Sequence, residues 1–387
     1  MIVLELVIVF GAIFLGSRLG SIGIGFAGGF GVLLLALTGL KPGAIPVDVI
    51  LIIMSVIAAI AAMQTAGGMD YLIALTERIL RKHPKQITCL APVVTYCMAV
   101  MAGTGHTAFS TLPVIAEVAK EQGIRPSRPL SIAVVSSQVA ITASPISAAV
   151  VFFSGAMEPL GVDYLQILLI CIPSTLLAVI LASFVTGFLG KELKDDPVYR
   201  VRREEGLVKI RGAKEIVILP HALRSVWIFV VAIILVMIYA TLISDKVGVI
   251  EKQNIILTRD NAIIIFMLTA ATAISMFCKV ETSMVLNAPT FKSGMSACIC
   301  VLGVAWLGST FVSAHEPQIR ELAGGLLEAY PWLLSVALFF AAMLLYSQAA
   351  TAKALMPIAI TLGASPVTLV ASFAAVSALF ILPTYPT

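Results

Sequence analysis

Long apolar runs dominate the chain and predict its secondary structure. A bilayer core requires helical runs of about 17 to 25 apolar residues, and such runs recur here from residue 2 almost to the last residues. The first run, residues 2–16, has no cationic region before it and no small-residue cleavage site after it, so we expect a retained span. The predicted spans are residues 2–16, 21–40, 48–66, 129–157, 164–189, 225–243, 261–278, 332–357 and 366–383.

Composition narrows the class of protein. The 387 residues are 59% hydrophobic and only 12% charged, with a mean hydropathy of +1.04. A soluble domain carries about 25% charged residues. These values exclude a soluble enzyme, a disordered chain and a nucleic-acid-binding protein, and they predict an all-α polytopic membrane protein. The six cysteines lie in apolar runs without ligand spacing, so we expect neither a metal site nor a cofactor.

The distribution of cationic residues predicts the orientation. Most of the 25 Lys and Arg residues fall in alternate loops, with the densest group in residues 191–224. The positive-inside rule therefore places the N-terminus outside and residues 191–224 in the cytoplasm. We interpret 191–224 as a linker between a first transmembrane region, 1–190, and a second, 225–387. A docking site for a partner is the alternative reading of this linker.

Matching residues in the two regions suggest a duplication. Four sets of residues recur at nearly equal separations along the chain. They are Pro84 and Pro289, Gly103 and Gly308, Ser137-Gln138 and Ser347-Gln348, and Asp48 and Asn261. This regularity predicts two structural repeats. The predicted span count leaves parallel and inverted repeats open, because an inverted pair requires one crossing to be added or removed.

A glycine-rich segment interrupts an apolar stretch that begins at residue 87. The sequence AGTGHTAFSTLPVIAEVAK, residues 102–120, predicts two short helices that meet at a tip within the membrane, in a hairpin over 86–122. Non-helical backbone at membrane depth requires protein or a water-filled cavity around it. The second helix would direct free N–H groups and its positive dipole end at that cavity, which suits a carboxylate. The candidate binding residues are Gly103, Thr104, Gly105, His106 and Thr107.

The second region carries a similar segment. In AWLGSTFVSAHE, residues Gly308, Ser309 and Thr310 occupy the corresponding positions, so we expect a second hairpin over 286–323 with its tip there. Two facing tips could hold the two ends of a dianion. A histidine titrates near neutral pH, so His106 is either a proton-coupling group or a hydrogen-bonding spacer.

Two predicted spans contain polar residues and a proline. In SSQVAITASPISAAVV, proline removes a main-chain hydrogen bond near the middle of the span. The candidate binding residues there are Ser137, Gln138, Thr142, Ser144 and Pro145. The alternative is a kinked helix whose hydroxyl groups bond to its own backbone.

The second polar span is YSQAATAKALMP, and it adds a cation. Its candidate binding residues are Ser347, Gln348, Thr351 and Lys353. A lysine at the bilayer centre costs about 2.5 to 3.5 kcal/mol, so the default interpretation of Lys353 is functional. The alternatives are a side chain that reaches the interface or an ion pair with a structural acid.

The segments GTGHTAFSTLPVIAEVAKEQGIRPSRP, SSQVAITASPISAAVV, FKSGMSACICVLGVAWLG and LLYSQAATAKALMPIA resemble the anaerobic four-carbon dicarboxylate transporters, the Dcu family. The resemblance extends over the whole chain and is greatest to the A branch, although the residue after GTG, here His106, differs between branches. It implies an ion-transporter superfamily architecture, with paired re-entrant hairpins, broken helices and elevator-like movement. It also implies a further apolar span after PTYPT.

The resemblance further implies a function. Such a carrier of the bacterial inner membrane exchanges fumarate, malate or aspartate outside for succinate inside during anaerobic fumarate respiration. Its partners would be small dicarboxylates and membrane lipid, with further copies of the chain and a membrane histidine-kinase sensor also considered, and no nucleic acid. The alternatives are a cation-coupled dicarboxylate symporter and a co-sensor that binds the kinase. An enzyme is not expected, because no nucleophile, base and orienting group occur at a recognisable spacing.

Overall fold

The computed structural model is helical throughout the residues it describes. Those residues are 2–20, 22–105, 108–190, 192–205, 217–244, 249–250, 254–318, 321, 329–345 and 347–381. The helices are α1 (Ile2–Leu19), α2 (Gly23–Leu37), α3 (Val47–Thr65), α4 (Gly68–Lys82), α5 (Ile87–Ala102), α6 (Ala108–Glu121), α7 (Ser127–Val139), α8 (Ala148–Met157), α9 (Tyr164–Gly187), α10 (Pro197–Glu204), α11 (Ala222–Leu242), α12 (Arg259–Phe277), α13 (Thr282–Val285), α14 (Pro289–Cys300), α15 (Trp306–Ala314), α16 (Leu333–Leu345), α17 (Gln348–Thr361) and α18 (Pro366–Phe373).

Seven helical segments in the described part of the chain are long and apolar enough to cross a membrane. They are Val47–Thr65, Pro84–Ala102, Ser127–Leu160, Tyr164–Gly187, Ala222–Leu242, Arg259–Phe277 and Pro289–Ala314. Large apolar side chains on their outer surfaces, such as Leu169, Phe184 and Trp227, are mostly exposed, as expected of a surface that faces lipid. The prediction of an all-helical polytopic membrane protein is thus confirmed.

Two of these segments, Pro84–Ala102 and Pro289–Ala314, were not among the predicted spans, because each was assigned to a hairpin. The structure joins α14 to α15 through a π-helical segment, Val301–Ala305, so residues 289–314 form one uninterrupted helix. A π segment widens the helix by one residue without ending it. The expected hairpin over 286–323 therefore has no turn within 289–314, where a single crossing lies instead.

The helix ends lie on two opposite faces of the protein. The Asp48 face consists of residues 43–48, 158–164 and 258–260, where α8 ends and α3, α9 and α12 begin. The Arg128 face consists of residues 80–87, 119–128, 187–190 and 192–196. Side chains join helix ends within the Arg128 face, as when Arg128 donates to the backbone oxygens of Leu189 and Gly190 at 2.6 and 2.7 Å.

A second connection on the Arg128 face lies between α4 and α6. Arg81 donates to both Glu77 and Glu121, and the hydrogen bond to Glu121 raises the pKa of Arg81 above its usual value. The guanidinium therefore stays charged at any physiological pH. This ion-pair network keeps the end of α6 beside the end of α4.

Helices α5 and α6 form a hairpin that opens toward the Arg128 face. Ile87 and Ala91 near the start of α5 share an apolar cluster with Ile115 and Ala119 near the end of α6, so the two helices are antiparallel. The turn begins at Gly103, whose φ of +64° lies in the left-handed region that favours glycine. These two antiparallel helices cover the range of the first predicted hairpin, whose re-entry into the membrane remains a prediction.

Helices α16 and α17 form a second pair, which opens toward the opposite face. Ser335 bonds to Ser372 at 2.9 Å and Ala342 packs beside Ala378, so α16 runs in the same direction as α18 and the residues after it. A short turn at Gly363 joins α17 to α18, which makes α17 antiparallel to both. Ser347, which caps the start of α17, lies at the inner end of this pair, inside the protein.

The predicted break near Pro145 is present between α7 and α8. A 3₁₀ turn, Ala140–Ala143, follows α7, and extended residues separate it from α8. The Ser144 hydroxyl donates to the backbone oxygen of Val100 at 2.6 Å, which fixes the break beside the end of α5.

Candidate substrate site

A central cavity lies where the two hairpin turns and the break after α7 meet. Its volume is about 80 Å³, against the roughly 10 to 15 Å³ that one water molecule needs. Both turns and the start of α8 contribute to its wall, together with α3 and the 289–314 helix. The lining residues are Ile52, Ile53, Val56, Ile57, Gly103, Thr104, Gly105, Ile141, Ile146, Ala148, Ala149, Ala297, Val301, Ser347, Gln348 and Ala349.

Two helix N-termini converge on this cavity. Ser147 caps α8 by accepting from the Val150 N–H at 3.2 Å, and Ser347 caps α17 by accepting from the Ala350 N–H at 3.2 Å. Each helix N-terminus carries roughly half a positive charge and N–H groups that have no partner within the helix. None of the described lining residues is ionised, so the field in the cavity comes from these helix ends and favours an anion.

A pair of buried amides connects the two halves of the chain beside the cavity. Gln348 donates through Nε2 to Oε1 of Gln138 at 3.0 Å. Nε2 of Gln138 has no acceptor among the described residues, and the Gln138 side chain is fully buried. A Cβ atom on Gly105 would lie 2.4 Å from that nitrogen, so the glycine turn rests directly on the amide. An unpaired buried donor costs about 1 to 3 kcal/mol, which an acceptor in the cavity would offset.

Several predicted binding residues come together here. Gly103, Thr104 and Gly105 line the cavity opposite Ser347 and Gln348. Gln138 lies immediately behind them, as the amide pair shows. His106 and Thr107 lie outside the described residues.

Other predicted residues are buried nearby, but their polar groups bond to backbone. The hydroxyls of Ser137, Thr142 and Thr351 donate to the backbone oxygens of Val134, Val139 and Ser347 at 2.7, 2.8 and 2.8 Å. Ser144 bonds to Val100, as described above, and the backbone oxygen of Pro145 accepts from the Tyr164 hydroxyl at 2.6 Å. These contacts match the alternative reading of a kinked helix with back-bonded hydroxyls.

The second predicted tip is not at the cavity. Gly308, Ser309 and Thr310 lie within α15, and the hydroxyls of Ser309 and Thr310 donate to the backbone oxygen of Trp306 at 3.0 and 2.7 Å. The same two side chains bond to residues 43 and 44 before α3. The π segment before α15 keeps this helix continuous. Of the described lining residues, the polar ones from the second half of the chain are Ser347 and Gln348, at the start of α17.

Lys353 does not line the central cavity either. It lines a second cavity of about 260 Å³ between α15, α17 and residues 44–46. Its Nζ lies 3.6 Å from Oδ2 of Asp48. The predicted cation thus faces an acid near the Asp48 face, one and a half turns along α17 from the central cavity.

The predicted binding residues did not include Ser147, which caps α8, or several of the residues that line the cavity. Ser147 caps α8 two residues after Pro145, and a serine that follows a helix break and precedes an apolar run is a recognisable N-cap signal. By contrast, Ile53, Ile57 and Ala297 carry no such signal, because only packing brings them to the cavity.

Comparison with known proteins identifies the family. The family model described as anaerobic C4-dicarboxylate membrane transporter matches residues 1–387. The chain is similar to proteins named C4-dicarboxylate transporter DcuA: 65% identical to that of Wolinella succinogenes and 61% to that of Escherichia coli K12, each over all of this chain and 89% of the relative. The Helicobacter pylori 26695 relative of the same name is 55% identical over 97% of this chain and 86% of its own length. These relatives are named as transporters, not enzymes. The chain belongs to the anaerobic C4-dicarboxylate membrane transporter family, in its A branch.

Proposed function

We propose that this protein exchanges four-carbon dicarboxylates across the bacterial inner membrane, taking in fumarate, malate or aspartate and releasing succinate during anaerobic fumarate respiration. The observation that carries the proposal is the convergence of two helix N-termini and two hairpin turns on one uncharged cavity, in a chain of this family. A four-carbon dicarboxylate has an anionic group at each end, and the cavity has a positive helix end on each side.

In this proposal the two carboxylates of one substrate bind at two separate positions in the cavity. One lies against the Gly103–Gly105 turn and the start of α8, and the other lies at Ser347 and the start of α17. The amide pair of Gln138 and Gln348 lies between the two positions and offers the unpaired Nε2 of Gln138 as a donor. Charge-assisted hydrogen bonds from amides to a carboxylate are stronger than neutral ones.

The hairpins support an inverted repeat. The first unit would comprise α3, the α5–α6 hairpin and the broken α7–α8 helix. The second would comprise the 289–314 helix, the α16–α17 hairpin and α18 with residues 374–381. The hairpins open toward opposite faces, and the crossing at 289–314 is the one that the inverted arrangement requires. We further propose that the hairpins and broken helices move as one body past the other helices, in an elevator-like step.

The distribution of arginine residues between the two faces indicates the orientation of the protein in the membrane. We propose that the Arg128 face is cytoplasmic, because Arg81, Arg125 and Arg128 concentrate there. The Asp48 face is then periplasmic. Oε2 of Glu5, near the start of α1, lies 2.8 Å from Nε2 of His315 at the end of α15, which supports a periplasmic N-terminus.

The membrane potential favours exchange over uptake alone. A dianion that enters against an inside-negative potential of 100 mV meets a cost of about 4.6 kcal/mol, because each charge costs about 2.3 kcal/mol. Moving a second dianion outward cancels this cost.

Labelled succinate efflux from proteoliposomes tests the proposal. The protein is reconstituted at a clamped potential of zero, with fumarate, aspartate or no substrate on the far side. We expect efflux only when a counter-substrate is present. Efflux into empty buffer that follows a sodium or proton gradient would contradict exchange and indicate a symporter.

A further inference from the structure

The second cavity continues the central cavity toward the Asp48 face along the same two helical elements. The central cavity contacts the 289–314 helix at Val301 and hairpin α16–α17 at Ala349, whereas the second contacts the same elements at Ser309 and Lys353. These positions lie one to two turns further along both helices. The two cavities are therefore consecutive along one interface between α15 and α17.

The second cavity has a polar wall, unlike the largely apolar lining around it. Ser309 and Ser313 are four residues apart on one side of α15, Glu316 lies just beyond the end of that helix, and all three line this cavity. Lys353 is on the opposite wall, on α17. A polar stripe that faces a cavity inside a membrane protein indicates a path for a polar solute.

The ion pair at the mouth of this cavity can open. Nζ of Lys353 is 3.6 Å from Asp48, beyond ordinary hydrogen-bond distance, and the side chains are 32% and 69% exposed. Ion pairs this exposed are weak, because water screens them and two flexible side chains must be held. A carboxylate of a solute can therefore replace that of Asp48 at little cost.

We propose that the second cavity is a peripheral docking site through which dicarboxylates reach the central cavity from the Asp48 face, with Lys353 receiving one carboxylate in place of Asp48. The inference rests on the proposed transport function. Among the described lining residues, the central cavity has no cation to attract a dianion from a distance, so Lys353 performs that step.

The test compares two variants at the two faces of the membrane. Exchange is measured in right-side-out and inside-out membrane vesicles loaded with succinate, and the KM for the dicarboxylate outside each vesicle is determined. Lys353→Gln is expected to raise KM at the Asp48 face about tenfold, with weaker dependence on ionic strength, and to leave KM at the Arg128 face unchanged. Asp48→Asn is expected to lower KM at the Asp48 face, because it removes the competing carboxylate.

Docking predicts that the two variants change KM in opposite directions, and this distinguishes it from a purely structural role of the ion pair. If the pair only held α3 to α17, both variants would impair exchange in the same direction and at both faces, and this result would overturn the inference. Lys41→Gln is the matched control, since Lys41 is an exposed cation in the segment before α3 that does not line the cavity. Equal KM values for wild type and Lys353→Gln would overturn this inference alone, whereas absence of exchange by the wild type would overturn the proposed function as well.

Discussion

Two segments with similar sequences behave differently in this protein. GTG, residues 103–105, ends a helix and lines the central cavity, whereas GST, beginning at Gly308, continues a helix. The first has a glycine in the left-handed region followed by a second glycine pressed against Gln138. The second has one glycine, and its hydroxyls bond to the preceding turn of the helix. Small polar residues therefore do not make a turn unless the backbone is also forced out of helical geometry.

The contrast extends to what each segment contacts. The Gly103–Gly105 turn contacts buried amides from both halves of the chain, so its shape bears directly on the cavity. The Thr310 hydroxyl instead accepts a hydrogen bond from the Gly43 N–H at 2.9 Å, which connects α15 to the segment before α3. The first segment should accordingly control transport, and the second should control stability.

Gly105→Val should have the largest effect on exchange. The added Cβ would lie 2.4 Å from Nε2 of Gln138, well inside van der Waals contact, so the turn or the amide pair must move. We expect the exchange rate in proteoliposomes to fall by about 100-fold or more, since misplacement near 1 Å can cost that much. Gly155→Ala is the control, because its Cβ would meet no atom within 4 Å, and it should retain wild-type exchange.

Gln138→Leu should have the next largest effect. The substitution removes the acceptor for Gln348 and the donor that faces the Gly105 turn. We expect KM for succinate to rise about tenfold, the equivalent of one lost hydrogen bond to a charged group. Gln348→Leu and the double variant complete a thermodynamic cycle, and effects that simply add would contradict the shared role of the two amides.

Ser347→Ala and Thr310→Val sharpen the comparison between the segments. Loss of the Ser347 cap should weaken α17 by about 1 kcal/mol and raise KM several-fold, because the cap is at the cavity. Thr310→Val should instead lower the melting temperature of the purified protein and leave KM unchanged. A rise in KM for Thr310→Val as large as that for Ser347→Ala would remove the distinction between the two segments.

Ser137→Ala should have the smallest effect. Its hydroxyl bonds to the Val134 backbone oxygen one turn earlier, and it does not line the cavity. We expect KM and the exchange rate within about twofold of wild type, because a back-bonded hydroxyl contributes little to a helix. A larger loss would place Ser137 in the substrate site after all.

The apolar pattern predicted most of the fold, because each crossing needs a run of fixed length regardless of its neighbours. The broken helix at Pro145 and the end of α5 at Gly103 were predictable for local reasons, namely a missing N–H and a pair of glycines. The crossing at 289–314 was missed because its polar residues resemble a turn, and their bonds to the helix backbone are invisible in the sequence. The second hairpin was taken as one span, 332–357, since nothing before Ser347 breaks the apolar pattern.

The site was predicted less completely than the fold. The prediction of two facing tips remains a prediction, and the second-half residues that line the central cavity include Ser347 and not Gly308. Lys353 was placed with the substrate because the sequence shows that a cation is in an apolar span but not how deep it lies. Its contact with Asp48, some 300 residues earlier, depends on how the two halves pack.

The central claim is that dicarboxylates bind in the cavity between the two turns, and substrate protection of a cavity cysteine tests it most directly. In a background without the six native cysteines, Ala297→Cys places a thiol at a half-buried lining position, and Ala58→Cys places one on α3 outside the cavity. A small thiosulfonate reagent is applied to vesicles with and without succinate. The account predicts that succinate slows labelling of Ala297→Cys with a midpoint near KM and does not affect Ala58→Cys. Equal labelling of Ala297→Cys at zero and saturating succinate, in vesicles that still exchange, would contradict it.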